Sequence, residues 1–389
     1  MNRKVLLIEP NYKNKYPPMG LMKIATYFRR CGDDVRFFKG DLKQLAARIL
    51  CEEFYTEVND ISLGRYFPKL TNFIKTGKYV YLDEISGFRE SKYENIIKTY
   101  RQRFVRGDYA IFDIIGVTTL FTFYWKQTVT TINQAKKFCK SDGRILVGGI
   151  ASSILPEQMY LDTGVHPHQG LLDKPGDIDE GNPDIIDELP LDYSILEEID
   201  YQYPANNAYF GYMTRGCIRK CAFCAVSRLE PNYKEYIGIK QQLEYVDQHF
   251  GARKDLLLMD NNVFASACFD AIIDEIKECG FGKGAKYHPA NDYEIAIKNI
   301  EEGYNLRAYL KKIVSLYDKI ADKISDKKSD EEVGEFYLKR EQLGLLFSET
   351  ATKEAVIEFD EIARNYYNEF FKFGSRVRYI DFNQALMLD

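Results

Sequence analysis

Four short apolar runs, KVLLIEP, DVRFFKG, DIIGVTTL and RILVGGI, punctuate the first 150 residues, and helix-patterned sequence separates them. Runs of this length, three of them closed by Pro or Gly, predict buried strands. From Gly20 to Cys31 the apolar residues Leu21, Ile24, Ala25 and Phe28 recur at helical spacing, and Gly32 follows as a stop. A second helix is predicted over Trp125–Cys139, and Asp41 to Arg106 is charged and helix-leaning. Alternation of strand and helix implies a parallel sheet covered by helices, with its crevice at the carboxyl ends of the strands.

Two loops fall at that end. EPNYKNKYPPMG follows the first strand and GGIASS follows Val147. Glycines there suit either a phosphate cradle or a tight turn, and the turn is the simpler reading. No G-x-G-x-x-G is present, so a nicotinamide dinucleotide is not supported. The Pro-, Gly- and Asp-rich stretch from His166 to Tyr193 marks a seam. His166 and His168 could reach one metal ion, but alternate residues on a strand edge explain them as well.

The second half is organised around GYMTRGCIRKCAFCAVSRLE, Gly211–Glu230, in which Cys217, Cys221 and Cys224 stand four and three apart. NAYFGYMT before it reads as a strand, so the cysteines sit in a loop at a strand's carboxyl end. The start MNRKVLLIEPN reads as a buried strand rather than a secretion signal, and no apolar run reaches the roughly 18–20 residues that span a bilayer. A cytoplasmic chain without membrane association is expected. Its eight cysteines are then reduced, so clustering suggests metal before disulfide. A net charge of −5 argues against general nucleic-acid coating.

Structural zinc takes four ligands, commonly two C-x-x-C pairs, and only one pair is present. A redox pair from Cys221 and Cys224 leaves Cys217 unexplained. A four-iron cluster takes one thiolate per iron, so three thiolates leave one iron open for a substrate or cofactor. Arg215, Arg219, Lys220 and Arg228 are placed to temper the cluster's negative charge.

C-x-x-x-C-x-x-C with an aromatic before the last cysteine, here Cys217, Cys221, Phe223 and Cys224, resembles the radical S-adenosylmethionine superfamily. KVLLIEPN…YPPMGLMKIATYFRRCGDDV, VGGIASS and DELPLDYSIL are similar to the subgroup carrying a cobalamin-binding-type domain ahead of the radical domain. The resemblance covers about residues 1–287 and the last dozen. It implies a [4Fe–4S] cluster on the three cysteines, whose open iron chelates S-adenosylmethionine. It further implies reductive cleavage to a 5′-deoxyadenosyl radical, fed by an electron donor such as flavodoxin or ferredoxin. Phe223 would lie beside the adenine. Asp260, Asn261 and Asn262, ending the strand KDLLLMDNNVF, match positions that bind the amino end of S-adenosylmethionine, although Asp and Asn also favour turns and caps.

The expected architecture is α/β. A Rossmann-like cobalamin-binding-type domain covers 1–175 and a linker 176–205. A partial radical (β/α) barrel follows, its first three strands lying in 206–286 and 375–389, and a helical insertion covers 287–374. Two departures qualify the resemblance. The D-x-H-x-x-G loop that supplies a histidine to cobalt is absent: Glu9, Pro10 and Asn11 follow the first strand, and His166 is the first histidine. Cobalamin is therefore the lesser expectation. Fewer residues follow Cys224 than the ~200 that six strand–helix units need, which reads as a fragment, a chain completed by a partner, or a degenerate one. RVRYIDFNQ, Arg376–Gln384, is the expected third strand, with Asp381, Asn383 and Gln384 facing the crevice. Between them, Leu306, Leu310, Ile313, Tyr317 and Ile320 share a helical stripe, read as a solvated arm before a substrate lid. The substrate is not legible. A cobalamin-dependent radical methyltransferase and a non-catalytic iron–sulfur or zinc-binding remnant are the competing functions.

Overall fold

In the computed structural model, residues 2–222, 224–324, 326–344, 349–371 and 374–382 are described. Strands β1 (Lys4–Glu9), β2 (Asp34–Lys39), β3 (Phe112–Thr119) and β4 (Cys139–Gly149) form a parallel sheet in the order β2-β1-β3-β4. The run KVLLIE becomes a strand because both its faces are buried. Period-two alternation sends Val5 and Leu7 into one core and Leu6 and Ile8 into another. The second of these cores is filled by the helices Leu42–Val58, Phe67–Thr76 and Tyr93–Arg106, which resolve the helix-leaning stretch. The helix after β3 ends at Ala135, four residues before the expected end, and Cys139 already belongs to β4.

Strands β5 (Ala208–Gly211), β6 (Asp255–Leu258) and β9 (Ile380–Phe382) make a second parallel sheet in the order β5-β6-β9. The expected strand Arg376–Gln384 is two pieces. Arg376–Val377 (β8) pairs antiparallel with Lys286–Tyr287 (β7), and only Ile380–Phe382 joins β6. Asn383 and Gln384 lie outside the described residues, as does Phe223, and of Asp381 only the backbone is described.

The stretch 176–205 is packed rather than loose. Its Ile186, Leu189, Leu191, Tyr193 and Ile195 join a core shared with the helix Met19–Arg30 on one side and with β5 and β6 on the other. Glu198 accepts the Phe37 N–H at 2.9 Å, so this segment caps the edge of β2.

The described residues of 287–374 pack into a bundle and not a solvated arm. The helices Asp292–Glu302, Leu306–Ile324, Asp330–Gly344 and Glu349–Phe370 bury a core of their own. The expected stripe lines it: Ile313, Tyr317 and Ile320 are fully buried and Leu310 nearly so. Asn305, in the left-handed conformation before the second of these helices, donates to Ser194 Oγ at 2.7 Å and Glu198 Oε1 at 3.0 Å. Those bonds anchor the helical region to the packed segment. No described helix is long and apolar enough to cross a membrane.

Candidate functional site

The cysteine loop leaves the carboxyl end of β5 and is held at its base on three sides. Met213 N–H donates to both Asp260 oxygens at 2.9 and 3.2 Å, and the Thr214 hydroxyl donates to Asp260 Oδ1 at 2.7 Å, with the Thr214 N–H beside it. Asp260 follows β6, so its carboxylate ties one strand end to the next. Burial pushes its pKa up, against the pull of those hydrogen bonds.

Arg215 is the second tie. Its guanidinium meets Asp187 at 2.6 Å and Glu230 at 2.8 Å, and lies 3.9 Å over the Tyr212 ring. Burial opposes its charge, and Tyr212, Glu230 and Asp187 together keep it protonated. Arg215, one of the cations expected to temper a cluster's charge, has its own charge met by two carboxylates. Arg219, Lys220 and Arg228 are exposed. Asp187 also pairs with Lys23 at 3.1 Å. Burial alone would raise the Asp187 pKa, but Lys23 and Arg215 outweigh it and hold it low.

Glu230 is the third tie. It closes the loop's far end onto its start by accepting Gly216 N–H at 2.9 Å, and it takes the Asn261 amide at 2.9 Å. Gly216 has φ +70, and a Cβ there would stand 2.8 Å from Asn232 O and 2.9 Å from Glu230 O, so only glycine fits the turn.

Within this frame Cys217, Cys221 and Cys224 are free, half-buried thiols on one loop. Arg219 N–H points at Cys217 Sγ at 3.4 Å, and Cys224 N–H donates to Cys221 O at 3.0 Å. Among the described residues, no three His, Cys, Asp or Glu side chains are gathered around one point, these cysteines included. The donor set nonetheless suits a thiolate-ligated group: three unpaired sulfurs and a backbone N–H on one of them. Of the other expected site residues, Asp260 faces the loop backbone and Asn261 faces Glu230. Asn262 is half-buried after β6, and its side chain has no partner among the described residues. Asp187, Lys23 and Glu230 were not singled out in the sequence. Their only signal is one of charge, with acids spaced 28 and 15 residues from Arg215 and no motif linking them.

The carboxyl end of the first sheet faces the same region, since the helix Ile150–Ile154 packs against Val226–Leu229. GGIASS is not a phosphate cradle here. Gly149 has φ +108 because β3 comes so close that a Cβ would strike Thr119 O, and Ser152 bonds Thr119 Oγ1 at 3.1 Å. At the switch point between β1 and β3, Tyr12 is buried, stacked 4.6 Å from Tyr124 and bonded to Thr128. Beside it, Lys39 and Glu9 form a buried ion pair at 2.7 Å, with Tyr203 on Glu9 and Tyr201 under Lys39. These side chains fill the crevice and do not fit a corrinoid there. His166 stacks on Tyr160 at 3.9 Å and His168 Nε2 bonds Leu171 O at 2.9 Å, so the pair serves local packing.

No protein-family profile matches the chain, and no curated protein does. Among solved structures it is similar to the radical S-adenosylmethionine methyltransferase TsrM from Kitasatospora setae. The form with cobalamin and a [4Fe-4S] cluster bound aligns at 12% identity and a TM-score of 0.38, over 78% of this chain and 53% of that one. The form with tryptophan substrate and a SAM analog (aza-SAM) bound aligns at 12% and 0.36, over 77% and 52%. The chain thus spans about half the length of these structures.

Proposed function

We propose that this chain is a radical S-adenosylmethionine iron–sulfur protein, with Cys217, Cys221 and Cys224 as the thiolates of a [4Fe–4S] cluster. One observation carries the reading: three free thiols, in the spacing C-x-x-x-C-x-x-C, occupy one loop at the carboxyl end of a parallel strand. When bound, such a cluster supplies the electron that cleaves S-adenosylmethionine to a 5′-deoxyadenosyl radical. The chain's own residues do the positioning. Asp260, Arg215 and Glu230 hold the loop's two ends against the ends of β5 and β6. The Asn262 amide, uncommitted among the described residues, is assigned to the amino end of S-adenosylmethionine, and Phe223 to its adenine. Asn261 and Asp260 act on that site as positioning residues. An external donor of the flavodoxin or ferredoxin kind provides the electron, and the protein is assigned to the cytoplasm.

Anaerobic reconstitution with iron and sulfide tests this. Uptake of about four irons per chain and release of 5′-deoxyadenosine from S-adenosylmethionine under dithionite support the proposal, with both lost in C217A, C221A and C224A. Stoichiometric tight zinc without cleavage would sink it and favour the metal-binding remnant. No step is assigned to cobalamin, because Tyr12 and the Glu9–Lys39 pair fill the crevice at the end of β1.

A further inference from the structure

A cavity of about 1000 Å³ lies at the opposite end of the second sheet from the cysteines. Its floor includes Asn206 and Asn207, which lead into β5, and Ala252 and Arg253, which lead into β6. Because β5 is four residues long, roughly 13 Å of strand separates this floor from the cysteine loop. The other walls come from the packed segment before β5 and from the helices Leu306–Ile324 and Glu349–Phe370. The volume is ample for a small organic ligand.

The wall carries a charge imbalance. Six cations line it against three carboxylates. The carboxylates are already used: Asp200 holds Lys311 at 2.5 Å, and Glu197 and Asp292 hold Lys312 at 2.9 and 3.3 Å. Lys319 and Lys323, one turn apart on the helix Leu306–Ile324, are exposed, and neither they nor Arg253 and Arg376 have a carboxylate within ion-pair distance among the described residues. Arg253 also keeps a buried Nε–H with no acceptor among those residues. In a chain of net charge −5, such a concentration of unmatched cations in a concave site focuses a field that selects an anion. The remaining lining is aromatic and amide. Phe370 and Phe371 present half-buried rings, and Gln202 and Asn206 present exposed amides. Rings offer a stacking face, and amides read donor and acceptor edges.

We propose that this cavity binds an anionic ligand carrying a planar heterocycle, of nucleoside-diphosphate chemistry, at a site separate from the cysteine loop. The phosphates meet Lys319, Lys323, Arg253 and Arg376, and the ring meets the aromatic wall.

Titration calorimetry with ADP, adenosine and inorganic pyrophosphate tests this on the whole chain. ADP is expected to bind saturably, and at least about tenfold more tightly than adenosine or pyrophosphate, because ring and charge are both read. Binding should weaken by about tenfold as salt rises from low to high ionic strength. K319E/K323E, two exposed positions, should abolish binding, and K126E/K137E, an equal charge change on the first domain's surface, should not. C217A/C221A/C224A should bind ADP as the parent does, which separates this site from the cluster proposal. Absence of saturable ADP binding, equal affinity for pyrophosphate, or unchanged affinity in K319E/K323E would each overturn the assignment.

Discussion

Asp260 and Thr214 join the end of β6 to the mouth of the cysteine loop: the Thr214 hydroxyl donates to the buried carboxylate at 2.7 Å, and the Thr214 N–H donates to the same oxygen. With Met213 N–H at 2.9 Å, the carboxylate is surrounded by donors. D260N would turn an amide N–H₂ toward them, leaving buried donors unmet at a cost of about 1–3 kcal/mol. Burial raises the Asp260 pKa, so the folded state holds this proton more tightly than the unfolded chain. Its contribution to stability therefore falls as pH rises from the ordinary carboxylate range through its folded value. Urea denaturation at a series of pH values should show the gap between parent and D260N narrowing as pH rises. A gap that widens refutes this account.

Asp187 behaves in the opposite sense. Lys23 and Arg215 overcome its burial and depress its pKa, so its stabilisation is present above about pH 4, the unfolded value, and is lost as pH falls through the lower folded value. D187N leaves two nearly buried cations with one carboxylate, Glu230, between them. We expect a loss of about 3 kcal/mol at neutral pH, shrinking toward zero in acid. Melting curves of parent and D187N at neutral and acid pH check this. Because Asp187 lies in the segment before β5, D187N should also impair iron uptake by loosening Arg215 at the loop's base.

What the sequence disclosed follows from the range of the forces involved. β1 was legible because a strand buried on both faces must be apolar throughout, and Leu310, Ile313, Tyr317 and Ile320 because one helix face repeats locally. The partners of that face were not legible. Phe336 and Phe359 come from separate helices, and so what reads as an exposed arm is a packed bundle. The cysteine spacing is local and was read directly. The charges that hold its loop are not: Arg215 reaches back to Asp187 and forward to Glu230, and no periodicity marks ion pairs across such distances. The division of Arg376–Phe382 into two strands escaped for a related reason, since the partner β7 is only two residues long.

The pair Lys39–Glu9 is fully buried, with Lys39 also donating to Asn14 Oδ1 at 2.7 Å. K39M leaves Glu9 as a buried charge facing Tyr203 and Asn14, at a cost of about 3–5 kcal/mol. The double variant E9Q/K39M removes both charges and should recover much of that loss, because the penalty is the stranded carboxylate rather than the missing attraction. Denaturant midpoints of the parent, E9Q, K39M and the double variant provide the cycle. A double variant as unstable as the sum of E9Q and K39M alone would show that the two residues act independently.

Gly216 tests whether the turn itself shapes the cysteine loop. Its left-handed φ of +70 would cost an alanine about 1–2 kcal/mol, and the added Cβ would press on the carbonyls of Asn232 and Glu230 at 2.8 and 2.9 Å. Both carbonyls are backbone, so relief has to come from moving the strand of loop that returns beside Arg215, where Lys234 and Arg215 exchange hydrogen bonds at 3.0 Å. The core beneath, built from Phe210, Leu256 and Leu258, does not depend on that turn. G216A should therefore keep its far-UV circular dichroism and melt only a few degrees lower, while taking up markedly less iron on reconstitution. Gly282 supplies the control, since a Cβ there meets nothing within 4 Å, and G282A should take up iron as the parent does. Full iron uptake by G216A would mean that the three cysteines find their arrangement without this turn.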